Sequence, residues 1–373
     1  MPSVSTSKNL SFVNHWIGIY EQPGPKLAPT RRAVKALKAS PVAVTLPEGF
    51  VVPAVPASPA TLAPVYQRAF EARERELGPN DPKVARAASD LGLFLMQNGS
   101  ADSAEAPLRR AVASDERNSD PQLDLSRENL AKLLEANGKL EDGLSFFRAA
   151  AEGKDLSVVA RALSSLGRLD RPNSELHYRR ALAAEEKAVG PSDRRVAVIL
   201  HELALSLRER EDDPSAEPLL RRALNIQEKL AKPDFRLTVA IMNTLGNLIE
   251  GARRFDEAEK LERAALKLAE EKFGPESAEL SMTCTNLADI LWNKRDLPGA
   301  GQLYRRALLI DASLHGMESS ETAADIANLG MVSKEAGQTA AGDGLLRQAL
   351  AIYEKTLGPD SAQAKFVRQN LAR

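Results

Sequence analysis

A single cysteine, Cys284, leaves the chain no means of building an internal disulfide framework. Aromatic residues are only 5% of the total, a profile of Leu- and Ala-based helix packing rather than of a β-barrel. Neither sign of charge is in excess: 50 Lys and Arg face 51 Asp and Glu, so no basic stripe is offered to a nucleic-acid backbone. Long apolar runs are missing too. The longest charge-free stretch, GFVVPAVPASPATLAPVYQ from residue 49, holds Pro53, Pro56, Pro59 and Pro64, which would break a membrane-spanning helix. The apolar run FVNHWIGIY is interrupted by Asn14 and His15 and has no clean cleavage pattern after it, which speaks against a secretory signal. The default expectation is a cytoplasmic protein, with an acid-poor organelle transit segment as the alternative.

Motifs that carry chemistry are also lacking. His201-Glu202 opens like a zinc-protease helix, but the residue four positions after His201 is Leu205. The four histidines, at 15, 177, 201 and 315, stand in no metal-ligand spacing with one another or with Cys284. No Gly-rich phosphate loop is followed by Lys-Ser or Lys-Thr, and no nucleophile elbow occurs. The expectation is a protein that is not an enzyme and holds no cofactor and no metal.

What the sequence has instead is self-similarity. The phrase LLRRALNIQEKL at 219 returns as LYRRALLIDASL at 303 and LLRQALAIYEKTL at 345. Its central alanine recurs as Ala69, Ala111, Ala150, Ala181, Ala223, Ala265, Ala307 and Ala349, at intervals of 42, 39, 31 and then 42 four times. A second column of Leu-Gly or Leu-Ala pairs keeps the same beat, at Leu91, Leu130, Leu166, Leu203, Leu245, Leu287, Leu329 and Leu371. Between the two columns stands punctuation such as Gly78-Pro79, Gly190-Pro191, Gly274-Pro275 and Gly358-Pro359, the way a helix is stopped. Each unit therefore reads as a first helix carrying the Leu-small pair and a second carrying the alanine phrase. Small residues recur where helices cross closely. Cys284 shares its repeat column with Leu200, Met242 and Ile326, which makes it a small buried hydrophobe rather than a nucleophile.

The phrases LYRRAL at 303, AEKL at 258, EKTLGPDSAQA at 354 and TNLADIL at 285 resemble the tetratricopeptide repeat, in the 42-residue variety of kinesin light chains and many bacterial proteins. The resemblance covers residues 61–373 and implies an all-α fold, a right-handed superhelical solenoid of about seven antiparallel helix pairs. One unit is shortened near 155–180, where a clipped helix and a local change of pitch are expected. Residues 1–60 read as a disordered basic arm and a Pro/Ala-rich linker. In the first 40 residues Lys8, Lys26, Arg31, Arg32, Lys35 and Lys38 stand against Glu21 alone.

The resemblance further implies that the first helices line a concave groove holding an extended peptide from a protein partner. The inward positions lie two before the column leucine and two and five after it. They are His201, Leu205 and Arg208, then Asn243, Asn247 and Glu250, then Thr285, Asp289 and Trp292, then Ala327, Met331 and Lys334, with Glu128 and Lys132 in earlier units. Asn243 and Asn247 match positions where the family holds the peptide backbone with an amide. Trp292 is the anchor candidate, because Leu291 already fills the core position beside it, and Met331 adds an adaptable apolar contact. Arg208 and Lys334 alternate with Glu250 and Asp289, which argues against a strictly acidic or strictly basic peptide. The pairs Arg109-Arg110, Arg179-Arg180, Arg221-Arg222 and Arg305-Arg306 fall on the second helices and read as solvated surface.

The expected function is a protein-interaction scaffold, with no nucleic acid and no membrane span involved. The rival readings are a self-assembling structural scaffold and the regulatory arm of a larger signalling or effector system. An aromatic stretch of the arm, residues 12–20, is a further candidate for occupying the groove in cis.

Overall fold

The structure, a computed structural model, describes residues 59–372, and the expectations for the arm and most of the linker lie outside them. Among the described residues there are sixteen α-helices in paired arrangement and no strands. They divide into two compact units, with the boundary between Leu207 and Arg208.

The N-terminal unit contains α1 (Pro59–Leu77), α2 (Pro82–Gln97), α3 (Ala101–Asn118), α4 (Leu123–Ala136), α5 (Leu140–Ala151), α6 (Leu156–Leu169), α7 (Ser174–Val189) and most of α8 (Arg194–Glu209). From α1 to α7 each helix packs on the next in sequence. The even-numbered helices carry the Leu-small column and the odd-numbered ones the alanine column. The small residue of each pair makes room for a large side chain three positions before the alanine of the next helix. A Cβ on Gly167 would meet the Tyr178 ring at 2.8 Å, and one on Gly92 would meet Leu108 at 2.5 Å. Phe147, Leu163 and Leu166 fill the centre of this unit. In the shortened stretch α6 has 14 residues, and a 3-10 turn, Arg171–Asn173, stands between α6 and α7.

The C-terminal unit contains α9 (Asp213–Lys229), α10 (Phe235–Gly251), α11 (Phe255–Phe273), α12 (Ala278–Asn293), α13 (Leu297–His315), α14 (Ser320–Glu335), α15 (Thr339–Thr356) and α16 (Ala362–Leu371). The second helices α11, α13 and α15 end on a left-handed glycine, Gly274, Gly316 and Gly358, at φ 84°, 90° and 90°, which an L side chain would occupy only with strain. The first helices then open on side-chain caps. Asp234, Ser277 and Ser319 accept from the backbone N–H of Leu237, Leu280 and Thr322, satisfying donors the helix start leaves over. Cys284 lies in the core with Leu280 and Ile310, and burial pushes its thiol up to about 12.

The arginine pairs of the second helices bridge consecutive repeats. Glu217 pairs with Arg254 at 2.7 Å and Arg221 with Glu257 at 2.6 Å, while Glu259 pairs with Lys294 at 2.7 Å and Glu270 with Arg306 at 2.5 Å. In the N-terminal unit Arg180 meets Glu152 at 2.8 Å, and Arg110 meets Glu74. Solvent screens pairs of this kind, so each adds little net stability.

Candidate functional site

The first helices α10, α12 and α14 of the C-terminal unit carry most of the expected groove residues. The position two before each column leucine is taken up by the next repeat. Asn243 is only 1% exposed, and its Oδ1 accepts from Thr283 Oγ1 at 3.1 Å. Thr285 Oγ1 donates in the same way to Asp325 Oδ1 at 3.4 Å. The amide of Asn243 therefore lies in the packing between α10 and α12 rather than on an open face. Asp325 is itself buried, and its Oδ2 has no hydrogen-bond partner among the described residues. Burial and then the Asp311 charge push its carboxyl well above the usual carboxylate range.

The positions two and five after the leucine are half-buried and reach the surface: Asn247, Glu250, Asp289, Trp292, Met331 and Lys334. The Trp292 ring meets Tyr304 of α13 edge-on, with centroids 6.4 Å apart and planes at 85°, the favoured aromatic geometry. The Tyr304 hydroxyl donates to Asp289 Oδ1, and Asn293 Nδ2 donates to Glu250 Oε1 at 2.5 Å. These contacts fix two carboxylates and an indole in one place. The cations at groove positions face the protein's own acids. Lys334 Nζ lies 2.8 Å from Asp343 and donates to the Asn370 carbonyl at 2.9 Å, and Arg208 Nε lies 3.3 Å from Asp213 Oδ1. Burial lowers the Arg208 guanidinium from its ordinary value, an effect Asp213 partly offsets.

Two of the named residues of the N-terminal unit are buried. His201 is 1% exposed. Glu128, at a groove position, is fully buried and accepts from Lys132 at 2.5 Å and from both Nε and Nη2 of Arg161, at 2.8 and 2.7 Å. The Arg161 guanidinium is raised by these bonds.

Glu262 of α11 was not anticipated. It stands three residues before Ala265, where the other second helices place Leu108, Phe147, Tyr178, Leu220, Tyr304 and Leu346. It is fully buried, and neither carboxylate oxygen has a hydrogen-bond partner among the described residues. A Cβ on Gly246 would lie 2.1 Å from its Oε1, so the glycine leaves space for the carboxyl. The Asn286 amide faces the carboxyl, but neither side meets hydrogen-bond geometry. Burial first, and then the Glu250 charge, push Glu262 well above the usual carboxylate range. The column itself is the signal that marks this residue, because an acid interrupts a row of large apolar side chains.

The tetratricopeptide repeat family model matches residues 196–236, 238–279 and 322–363. Among solved structures, BtubC (BKLC) from P. vanneervenii is 26% identical over 56% of this chain and 82% of its own, with a TM-score of 0.46. A signal transduction ATPase with numerous domains and a tetratricopeptide repeat sensor, from Pyrococcus horikoshii, is 14% identical over 83% of this chain and 48% of its own, with a TM-score of 0.57. A tetratricopeptide repeat protein from Parabacteroides merdae is 13% identical over 77% of this chain and 97% of its own, with a TM-score of 0.51. The last two likenesses are of fold alone. A comparison with curated proteins finds no match.

Proposed function

Because the chain is a tetratricopeptide repeat protein and so of a kind that serves as a protein-interaction scaffold, we propose that it binds an extended segment of a protein partner along the first-helix face of its C-terminal unit. It acts by binding rather than by catalysis, with Trp292 as anchor and Asn247 and Met331 as flanking contacts. The observation that carries this reading is Trp292, a large amphipathic ring held edge-on by Tyr304 and still half-open on that face. A rigid aromatic contributes contact area with little side-chain entropy left to lose. Asn247 supplies both a donor and an acceptor for a partner backbone.

The test is a binding comparison between the wild type, a triple variant Asn247→Ala, Trp292→Ala, Met331→Ala, and an outer-face control, Leu309→Ala, whose side chain is 73% exposed. Each is checked for helicity by circular dichroism. Loss of a wild-type partner in the triple variant but not in the control is the expected result. Retention in the triple variant moves recognition to another surface.

A further inference from the structure

We propose that the first-helix face of the N-terminal unit holds a carboxylate of a protein partner at Lys132 of α4 and Arg161 of α6, so that the partner carries an Asp or Glu at this point. The surface belongs to the other unit from Trp292 and is argued without it.

The first support is an excess of positive charge built around one buried acid. Glu128 is fully buried, and its Oε1 accepts from Lys132 Nζ at 2.5 Å and from Arg161 Nε at 2.8 Å. The two cations thus meet at one oxygen, and both side chains stay 42% exposed. One carboxylate cancels one of the two charges, and the other is left at the surface. A buried ion pair is a poor source of stability by itself, because desolvation offsets much of the attraction. What Glu128 does accomplish is to hold two cationic heads, from neighbouring first helices, in fixed positions.

The second support is unused donors. An ammonium carries three N–H groups and a guanidinium five. Lys132 directs one at Glu128, and Arg161 directs Nε and Nη2 there, so Nη1 donates to nothing among the described residues. A carboxylate arriving at that edge meets charge-assisted donors that are already positioned. The acids nearby are engaged elsewhere. Glu185, whose charge reaches Arg161, is buried against Arg195 at 3.0 Å. Asp155 caps α6 by accepting from the N–H groups of Ser157 and Val158, and Glu135 meets Arg168 at 2.6 Å.

The third support is the row in which Arg161 stands. The positions five before the column leucine in α2, α4, α6 and α8 are Arg86, Leu125, Arg161 and Val198. None is acidic, Arg86 is exposed, and Val198 is 41% exposed. A basic side chain would meet like charge here, whereas an acidic one meets the surplus cation beside apolar contacts.

The experiment is selection of a random peptide library displayed on phage against the immobilised full-length chain carrying Trp292→Ala, followed by affinity measurements on recovered peptides. Recovered peptides are expected to carry Asp or Glu, and changing that residue to Asn or Gln should weaken them about fivefold. Lys132→Gln in the protein should weaken them by a similar factor, while Arg161 still satisfies Glu128. Glu128→Gln should do the opposite and tighten them, because both cations then keep their full charge. Damage to the fold would weaken binding in both variants, so opposite signs at unchanged helicity report the charge. Should Glu128→Gln fail to fold, Lys132→Gln and the altered peptides decide. Affinity should also weaken with added salt. Peptides without an acid, acidic peptides indifferent to Lys132→Gln, or an empty selection would overturn the proposal. The selected protein lacks the Trp292 ring, so each of these outcomes leaves the groove reading of the C-terminal unit standing.

Discussion

Glu262 occupies a slot that Leu220, Tyr304 and Leu346 fill in neighbouring repeats, and its carboxyl is buried without a hydrogen-bond partner among the described residues. Replacing it by the residue of its own column, Glu262→Leu, should raise stability by about 1–3 kcal/mol, the penalty of an unsatisfied buried polar group. The pH dependence has a definite sign. Glu262 and Asp325 are both raised above their ordinary values of 4.5 and 3.8. The folded state therefore keeps protons that the unfolded state has released. Their stabilising contribution is complete below the unfolded values and is lost as pH rises toward the folded ones. Thermal melts should show the wild type losing stability from about pH 5 upward, and Glu262→Leu losing less over the same range. Equal slopes would mean that Glu262 is hydrated or ionised in the folded protein.

Groove residues were legible in sequence only as positions on a helix face. Trp292 and Asn247 reach the surface there, because the register of α10 and α12 follows from the Leu-small column. Asn243 does not, because its partner Thr283 comes from the next repeat, 40 residues away. For the same reason the sequence could not tell that Asp213 and Asp343, on helices that follow, face Arg208 and Lys334. The alternating charges suggested a groove of mixed charge, which argues against a strictly acidic or strictly basic peptide.

At the scale of elements, close crossing of helices decides which glycines can change. A Cβ on Gly342 of α15 would lie 2.6 Å from the Gly330 carbonyl oxygen of α14, and one on Gly344 of the same helix would meet nothing within 4 Å. Gly342→Ala should therefore cost about 1–3 kcal/mol as the two helices are forced apart. Gly344→Ala should gain about 0.5–1 kcal/mol by restricting the unfolded chain and favouring helix. Urea denaturation of the two variants beside the wild type checks this, and equal effects would refute the crossing geometry. The helices and their stops were readable because each repeat restates them. The shortened repeat was readable as a deletion, but not as the 3-10 turn Arg171–Asn173 that closes it.

At the scale of the whole molecule, the helices within each unit pack on near neighbours in sequence, so damage should stay local. Phe147 is fully buried in the N-terminal unit. Phe147→Ala should cost about 3–5 kcal/mol there. Amide exchange should speed up in α4 to α7 while α14 and α15 keep their protection. Uniform loss of protection would show one cooperative block instead. The measurement that bears most directly on the binding role is site-specific photo-cross-linking, with a benzophenone amino acid replacing Trp292 in one protein and Leu309 in another, both exposed to lysate of the source cell. A discrete protein adduct from position 292 and none from position 309 is the expected result. An adduct from position 309 alone would place recognition on the outer face and contradict the groove.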